Sequence, residues 1–421
     1  MSTVHCCTAA GEIAGNSSVG CGIRTQCAST GSNELPANAG RAGRPGAVDQ
    51  PVIGIVCGTR PEIIKLAPVY HALRAQGWAR VVWVHTGQHA DMAEHMLGCF
   101  DIVPDLRLTR SGAGIEQFSI ECRAQLGQLM AAQPWDMCVV QGDTESAFLG
   151  ALCAFYRRIP VAHVEAGLRT YNLERPFPEE GLRQMISRIT ALHFAPTERA
   201  RDALLREGLR DADILVTGNT VVDAQLWTSD KYGIKREPGA SKGPIVVTVH
   251  RREHWGGEMQ EIFEAVAEVA REHPDRQVRF PVHLNPVVQR AARDILGDVP
   301  NVELTAPFDY LEMQRALAGA SLVLTDSGGL QEEAPTFGVP VLVLRHETER
   351  PECVEAGCAA LVGPHREGIV REVRRLLNDE LAWRRMQAST NPFGDGRASQ
   401  RIADVLAAHL VPVPSTEAVA A

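Results

Sequence analysis

The chain has 421 residues, a formal net charge of −9, 45% hydrophobic residues and 22% charged residues. This balance is ordinary for a globular protein with room for roughly two or three domains. The acidic excess argues against nucleic acid or an anionic membrane as a partner, and no apolar run approaches the roughly 20 residues that a membrane helix needs.

The 11 cysteines are irregularly spaced and include no C-x-x-C pair. This pattern signals neither a zinc site nor a disulfide framework, so we expect reduced thiols and a cytoplasmic protein. Residues 1–49 are rich in Gly, Ala, Ser and Asn and lack periodic apolar spacing. They also lack the charged and apolar regions of a secretory signal, so we expect a disordered tail there and another over residues 412–421.

From residue 50 onward, short apolar runs alternate with amphipathic segments. The first series of runs covers residues 52–56, 81–85, 137–140, 161–164, 192–195 and 214–217. The second covers residues 245–249, 278–282, 302–304, 322–325, 339–344 and 360–362. Such runs predict parallel strands joined by helices and buried on both faces.

A polar stretch rich in Gly, Pro and Lys at residues 228–244 separates the two series. The sequence therefore predicts an α/β fold of two Rossmann-type, doubly wound parallel-sheet domains that face a central cleft. We place the N-terminal domain at residues 50–220 and the C-terminal, nucleotide-binding domain at residues 221–390.

Three acidic stretches follow predicted strands of the first domain. They contain Asp143, Glu165, and the pair Glu179 and Glu180. Ligands of open α/β sheets bind outside the C-terminal ends of the strands, so we expect the chemistry at this cluster.

Several other strand ends carry groups suited to phosphate. Arg60 opens a predicted helix after Gly58, and a planar guanidinium suits phosphate. Another predicted helix begins with Ser327, Gly328 and Gly329, where free N–H groups can bind phosphate. Glu333, about one turn further on, could accept hydrogen bonds from both ribose hydroxyls. His250 follows a strand of the second domain and has arginine neighbours suited to a diphosphate. Each signal alone also fits a structural or solvated residue.

Together these segments resemble the bacterial non-hydrolysing UDP-N-acetylglucosamine 2-epimerases over roughly residues 52–410. The shared motifs include GTRPE (58–62), QGDT (141–144), HVEAGLRT (163–170), RPFPEE (175–180), HRRE (250–253), LTDSGGLQEEAP (324–335) and TERPE (348–352). The resemblance implies a GT-B-like fold, a C-terminal helix within residues 391–411 that packs back on the first domain, and a homodimer.

The resemblance also implies a reaction. UDP leaves C1, a 2-acetamidoglucal intermediate forms, and UDP adds again after reprotonation at C2, which interconverts UDP-N-acetylglucosamine and UDP-N-acetylmannosamine. This chemistry needs carboxylates on both faces of the sugar and cations for the diphosphate, but no nicotinamide, other cofactor or metal. The expected setting is surface-polysaccharide biosynthesis.

Residue roles follow from the same resemblance. The matches to catalytic residues are Asp143, Glu165, Glu179, Arg183 and His250. The matches to substrate-binding residues are Arg60, Lys65, Ser327, Gly328, Gly329, Glu333 and Arg350. A second UDP-N-acetylglucosamine, bound as an activator, would contact Gln88, Arg123, Arg251 and His283. The chain departs from the family pattern at Leu182, His254, Trp255 and Asp91.

Four alternatives stay open. One is an epimerase of a UDP-2,3-diacetamido uronic acid, and another is a hydrolysing epimerase that releases N-acetylmannosamine. The third is a GT-B glycosyltransferase, which has no need for all three of Asp143, Glu165 and Glu179. The fourth is a catalytically dead UDP-sugar sensor.

Overall fold

The computed structural model describes residues 50–112, 114–251, 254–387 and 390–411, without the side chains of residues 90–92. The predictions for both tails, and for Arg252 and Glu253 of the HRRE motif, therefore lie outside the described residues.

The first lobe is built on a parallel sheet of seven strands in the order β3-β2-β1-β4-β5-β6-β7. Its strands are β1 Val52–Cys57, β2 Arg80–His85, β3 Leu106–Arg107, β4 Met137–Gln141, β5 Val161–Val164, β6 Leu192–Ala195 and β7 Ile214–Val216. Its helices are α1 Arg60–Gln76, α2 Ala90–Cys99, α3 Ile115–Ala132, α4 Glu145–Tyr156, α5 Glu179–Ile189, α6 Glu198–Arg206 and α7 Thr220–Tyr232.

The second lobe has a parallel sheet of six strands in the order β10-β9-β8-β11-β12-β13. Its strands are β8 Ile245–Thr248, β9 Val278–Pro281, β10 Val302–Thr305, β11 Leu322–Thr325, β12 Val341–Val343 and β13 Ala359–Leu361. Its helices are α8 Gly257–Glu272, α9 Pro286–Leu296, α10 Tyr310–Gly319, α11 Gly328–Glu333, α12 Pro351–Glu355, α13 Arg366–Asn378 and α14 Glu380–Gln387, and α15 Ala398–Leu410 follows.

The predicted fold class is confirmed, because both sheets are parallel and carry helices between successive strands. The central strands β4, β8 and β11 are buried along their whole length, which explains their unbroken apolar sequence. The sequence did not reveal β3, since two partly exposed residues at a sheet edge leave no apolar run.

The polar stretch at residues 228–244 begins inside a helix. Thr228 is buried inside α7, and its hydroxyl donates a hydrogen bond to Ala224 O at 2.9 Å. The helix ends before Gly233, whose φ of 65° lies in the left-handed region. A polar but buried helical turn is thus indistinguishable from a linker in the sequence.

The C-terminal helix α15 packs on α1 and α7 of the first lobe. Its N-terminus is bound by the buried carboxylate of Asp223 in α7, which accepts hydrogen bonds from Ala398 N at 3.2 Å and Ser399 N at 2.7 Å. A carboxylate at a helix N-terminus satisfies free N–H groups and complements the helix dipole.

The strand order reverses between β1 and β4 in the first sheet and between β8 and β11 in the second. At such a switch point, the loops after neighbouring strands diverge and leave a crevice. None of the described helices is both long and apolar enough to cross a membrane.

Candidate active site

Asp143 and Arg183 form an ion pair at the C-terminal edge of the first sheet. Asp143 follows β4, and Arg183 lies on α5. The Nη1 atom of Arg183 is 3.5 Å from Oε2 of the buried Glu180. Glu180 also accepts hydrogen bonds from Thr170 N at 2.9 Å and Tyr171 N at 3.0 Å. Burial opposes ionisation of Glu180, but these hydrogen bonds and Arg183 lower its pKa.

The departure from the family pattern at Leu182 does not displace Arg183. Leu182 is buried, and Arg183 still reaches Asp143. An apolar residue here therefore packs inward on α5 while the following arginine faces the acidic cluster.

Glu165 is held by groups from three directions. Lys65 of α1 and the Gln141 amide both donate to its carboxylate, and Asn219 Nδ2 donates to its Oε1 at 3.1 Å. Its own backbone has a φ of 63°, which is uncommon for a residue other than glycine. Strained backbone of this kind clusters at functional sites when the surroundings enforce it.

Lys65 links this carboxylate to the second lobe. Its Nζ lies 3.2 Å from Glu332 Oε2 on α11, and Arg350 Nε donates to Glu332 Oε1 at 2.9 Å. Burial alone would lower the pKa of Lys65, but Glu165 and Glu332 raise it overall. The predicted role of Lys65 as a substrate ligand stays a prediction, since its ammonium is bound to two carboxylates.

Glu179 begins α5 and is only partly exposed. Its Oε2 is enclosed and has no hydrogen-bond partner within the part of the chain that the structure describes. Glu179 therefore has a buried oxygen whose hydrogen-bonding capacity is not used by the described residues.

On the second lobe, His250 and Asp326 form a pair at the switch point. His250 Nδ1 lies 2.9 Å from Asp326 Oδ1, and Asp326 Oδ2 accepts hydrogen bonds from the backbone N–H groups of His250 and Arg251 at 2.9 and 2.8 Å. Burial would raise the pKa of Asp326, but His250 and these N–H groups lower it. The imidazole is thus oriented through Nδ1 while its far edge faces the cleft.

Sequence reasoning did not assign a role to Asp326. The available signal was its place directly after β11, the strand next to β8, which His250 nearly follows. Neighbouring parallel strands end at the same edge, so a carboxylate and an imidazole there meet.

A cavity of about 230 Å³ joins the two lobes at this edge. Arg60 of the first lobe lines it, and the second lobe contributes His250, Ser327, Gly329, Glu333 and an apolar wall with Phe308 and Tyr310. Burial raises the pKa of Glu333 to about 7, although Gln314 Nε2 donates to its Oε2 at 2.8 Å.

Gly328 lies under the guanidinium of Arg350. A Cβ at position 328 would lie 3.3 Å from Arg350 Cζ, which is tighter than most such contacts. This close approach places the positive charge of Arg350 against the start of α11, next to Ser327 and Gly329, which line the cavity.

The four residues predicted for a second ligand do not all meet. The His283 ring is tilted by 30° against the His250 ring, with the ring centroids 6.2 Å apart. Arg251 Nη1 lies 3.8 Å from Glu349 Oε1. Gln88 accepts hydrogen bonds from Ser146 N and Oγ in the first lobe.

Arg123 lies apart from these three residues, and its assignment to a second ligand site stays a prediction. Its guanidinium lies over the Tyr156 ring at 5.6 Å, in a groove between α3 and α4. The reason is its position in the middle of α3, away from the helix end that reaches the sheet edge. The side chain of Asp91 lies outside the described residues.

Asp143 and Glu145, two residues apart after β4, each have a side-chain partner. Asp143 is paired with Arg183, and Glu145 accepts from Ser119 Oγ. Across the described ranges, no group of three or more His, Cys, Asp or Glu residues is arranged to hold a metal ion. The expectation that the reaction needs no metal stays a prediction.

Comparison with known proteins gives a consistent result. The family described as UDP-N-acetylglucosamine 2-epimerase matches residues 71–407. The UDP-N-acetylglucosamine 2-epimerase of Escherichia coli (strain K12) is 44% identical over 364 residues, 83% of this chain and 97% of that protein. The enzyme of the same name from Bacillus subtilis (strain 168) is 43% identical over 359 residues, 84% of this chain and 94% of that protein.

A solved structure extends the likeness to three dimensions. The crystal structure of UDP-GlcNAc 2-epimerase from Neisseria meningitidis bound to UDP-GlcNAc matches with a TM-score of 0.78 and 36% identity. The match covers 84% of this chain and 99% of that one.

Proposed function

Because this chain belongs to the UDP-N-acetylglucosamine 2-epimerase family, we propose that it interconverts UDP-N-acetylglucosamine and UDP-N-acetylmannosamine without net hydrolysis. The observation that carries the proposal is the set of acidic residues Asp143, Glu165 and Glu179 in the loops and helix start that follow β4 and β5, together with a cavity of about 230 Å³ lined by both lobes. A UDP-sugar transferase needs no such set of carboxylates.

The nucleotide binds mainly to the second lobe in this proposal. The N–H groups of Gly328 and Gly329 and the hydroxyl of Ser327 face the diphosphate, and Arg60 and Arg350 supply positive charge. Glu333 accepts hydrogen bonds from the ribose hydroxyls, and the wall with Phe308 and Tyr310 contacts the base.

The reaction begins with cleavage of the C1–O bond. UDP departs with the bonding electron pair, and the positive charge that develops at C1 makes the C2 proton acidic. A carboxylate takes that proton, which leaves the C1=C2 double bond of 2-acetamidoglucal. A second acidic group then protonates C2 from the opposite face, and UDP adds back to C1.

Each predicted catalytic group has a part in these steps. Asp143, Glu165 and Glu179 supply the proton acceptor and donor, and Glu179 has an oxygen free to take one up. Arg183 holds Asp143 in place. His250, oriented by Asp326, faces the departing diphosphate and stabilises its growing charge.

The decisive experiment is a proton NMR time course of the purified protein with UDP-N-acetylglucosamine in D₂O. We expect loss of the C2 proton signal together with appearance of UDP-N-acetylmannosamine. Release of free N-acetylmannosamine and UDP would instead identify the hydrolysing reaction.

Absence of exchange would contradict the proposal for this sugar. The same time course with a UDP-2,3-diacetamido uronic acid then tests the sister epimerase. A second negative result would favour the transferase or the sensor. A homodimer and activation by a second UDP-N-acetylglucosamine stay predictions, which sedimentation velocity and substrate titration would test.

A further inference from the structure

We propose that Glu332 is a positioning residue that couples occupancy of the diphosphate site to the freedom of the Glu165 carboxylate. This inference rests on the proposed function and adds a residue that the motifs do not single out as catalytic or substrate-binding. The link runs across the cleft, because Glu165 and Lys65 belong to the first lobe while Glu332 and Arg350 belong to the second.

The geometry is a chain of alternating charges. Lys65 pairs with Glu165 on one side and lies 3.2 Å from Glu332 Oε2 on the other. Glu332 Oε1 then accepts a hydrogen bond from Arg350 Nε at 2.9 Å. Arg350 in turn covers Gly328, the residue proposed to face the diphosphate.

All four charged side chains are poorly accessible, and Glu332 is the least exposed, with 1% of its side-chain surface open to solvent. Because these side chains are poorly accessible, water cannot replace a partner that moves away. A displacement of one charged group therefore changes the interactions of the next. Around the chain, Glu349 lies 3.8 Å from Arg350 Nη1, and Arg345 and Arg251 face Glu349 in turn.

A bound diphosphate changes the balance of this chain. Its negative charge attracts Arg350, which weakens the hold of Arg350 on Glu332. Glu332 then attracts Lys65 more strongly and draws the ammonium away from Glu165. The Glu165 carboxylate is thereby freed for proton transfer when a diphosphate is present, and it stays bound to Lys65 in the empty site.

Glu332 itself is anchored so that it can act between these partners. Its backbone carbonyl accepts a hydrogen bond from Asn391 Nδ2 at 3.2 Å, in the segment that leads back to the first lobe. Glu332 is thereby held at the junction between the lobes, and it is not among the residues that line the cavity.

The test compares Glu332→Gln with Glu349→Gln, since both carboxylates neighbour Arg350 and only Glu332 also touches Lys65. For E332Q we expect kcat to fall about 10- to 100-fold, which is less than the roughly 10²- to 10⁴-fold that a general acid or base contributes directly, while the Kd for UDP from calorimetry changes less than about threefold. For E349Q we expect kcat to change less than about threefold.

A double-mutant cycle with Lys65→Met tests the route of the coupling. If Glu332 acts through Lys65, E332Q added to K65M lowers kcat less than about threefold further, because the link is already cut. If the double variant loses kcat by the product of the two single losses, the coupling is overturned. So would an E332Q variant whose UDP affinity falls while its kcat is unchanged, since that is the pattern of a binding or purely structural residue.

Circular dichroism and thermal unfolding establish whether E332Q is folded. If it is not, Glu332→Asp takes its place, because the shorter side chain keeps the charge but withdraws it from Lys65. Retained UDP affinity with a lowered kcat supports the coupling, and an unchanged kcat overturns it. Wild-type protein that shows no C2 exchange would refute the proposed function itself. Exchange in the wild type with equal exchange in E332Q would refute only the coupling.

Discussion

The two lobes hold their charged site residues in different ways. In the first lobe, the carboxylates of Asp143 and Glu165 are each paired with a cation from the same lobe, Arg183 and Lys65. In the second lobe, Asp326 orients His250 through one ring nitrogen, while 40% of the His250 side chain stays exposed at the cavity. The difference indicates that the first lobe is organised in advance for chemistry, whereas the second is open for a ligand.

The strongest test of this division is Glu165→Gln in the first lobe. The substitution keeps the shape of the side chain and removes its proton-accepting charge, so we expect kcat to fall about 10²- to 10⁴-fold. The Kd for UDP, measured by calorimetry, should stay within about threefold, because the proposed UDP site lies in the other lobe.

A matched control is Glu198→Gln on the surface of α6, whose side chain is 74% exposed. We expect wild-type kcat and UDP affinity there. Equal losses of turnover and UDP affinity in E165Q would contradict the division of labour between the lobes.

The reverse effect is expected for Gly328→Ala in the second lobe. The added methyl group would lie 3.3 Å from Arg350 Cζ and crowd the proposed diphosphate site. We expect the Kd for UDP to rise about tenfold, equivalent to roughly 1.4 kcal/mol, with a smaller effect on kcat at saturating substrate.

Gly98→Ala controls for the substitution itself, since a Cβ at position 98 meets no atom within 4 Å. Gly98 lies in α2, where alanine is a better helix former, so binding should be unchanged and stability equal or slightly higher. A G328A variant with unchanged UDP affinity would remove this loop from the proposed nucleotide site.

The lobes should also differ in their response to acid. Burial lowers the pKa of His85 to about 4, of His163 to about 3 and of His193 to about 4, and all three lie on strands of the first sheet. The unfolded chain binds protons at these side chains below its pKa of about 6.5, and the folded chain does not. Their contribution to stability is therefore full above about pH 6.5 and is lost as the pH falls towards 4.

As the pH falls from 7 to 5, each of these histidines should lower the free energy of unfolding by about 2 kcal/mol. Glu62 acts in the opposite sense, because burial raises its pKa to about 7 and its neutral form is favoured at low pH. Denaturant unfolding of His193→Gln should show a shallower loss between pH 7 and pH 5 than the wild type. His409→Gln, at an exposed position near the end of α15, is the control, and an equal slope in both variants would contradict the assignment.

The sequence predicted the edge of each sheet at which the site lies, and it did not predict the pairing of charges there. Asp143, Glu165, His250 and Ser327 all follow apolar runs, so the rule for parallel sheets locates them. Lys65 and Glu332 are far apart in the chain, and their contact depends on how the lobes are joined. Asp326 was missed because its partner is set by the neighbouring strand, which the strand order alone reveals.

The smallest expected effect is that of Arg123→Ala. The sequence resemblance grouped Arg123 with Gln88, Arg251 and His283, but its guanidinium lies over Tyr156 between α3 and α4. If a second UDP-N-acetylglucosamine binds near His283, removal of Arg123 should leave the substrate dependence of the rate unchanged, within about 1.5-fold, since exposed cation–π contacts contribute only about 0.5–1 kcal/mol to local packing. His283→Ala is the comparison variant and should alter that dependence, because its ring lies 6.2 Å from His250 at the cleft. A changed substrate dependence in R123A alone would mean that the groove between α3 and α4, rather than the cleft, communicates with the site.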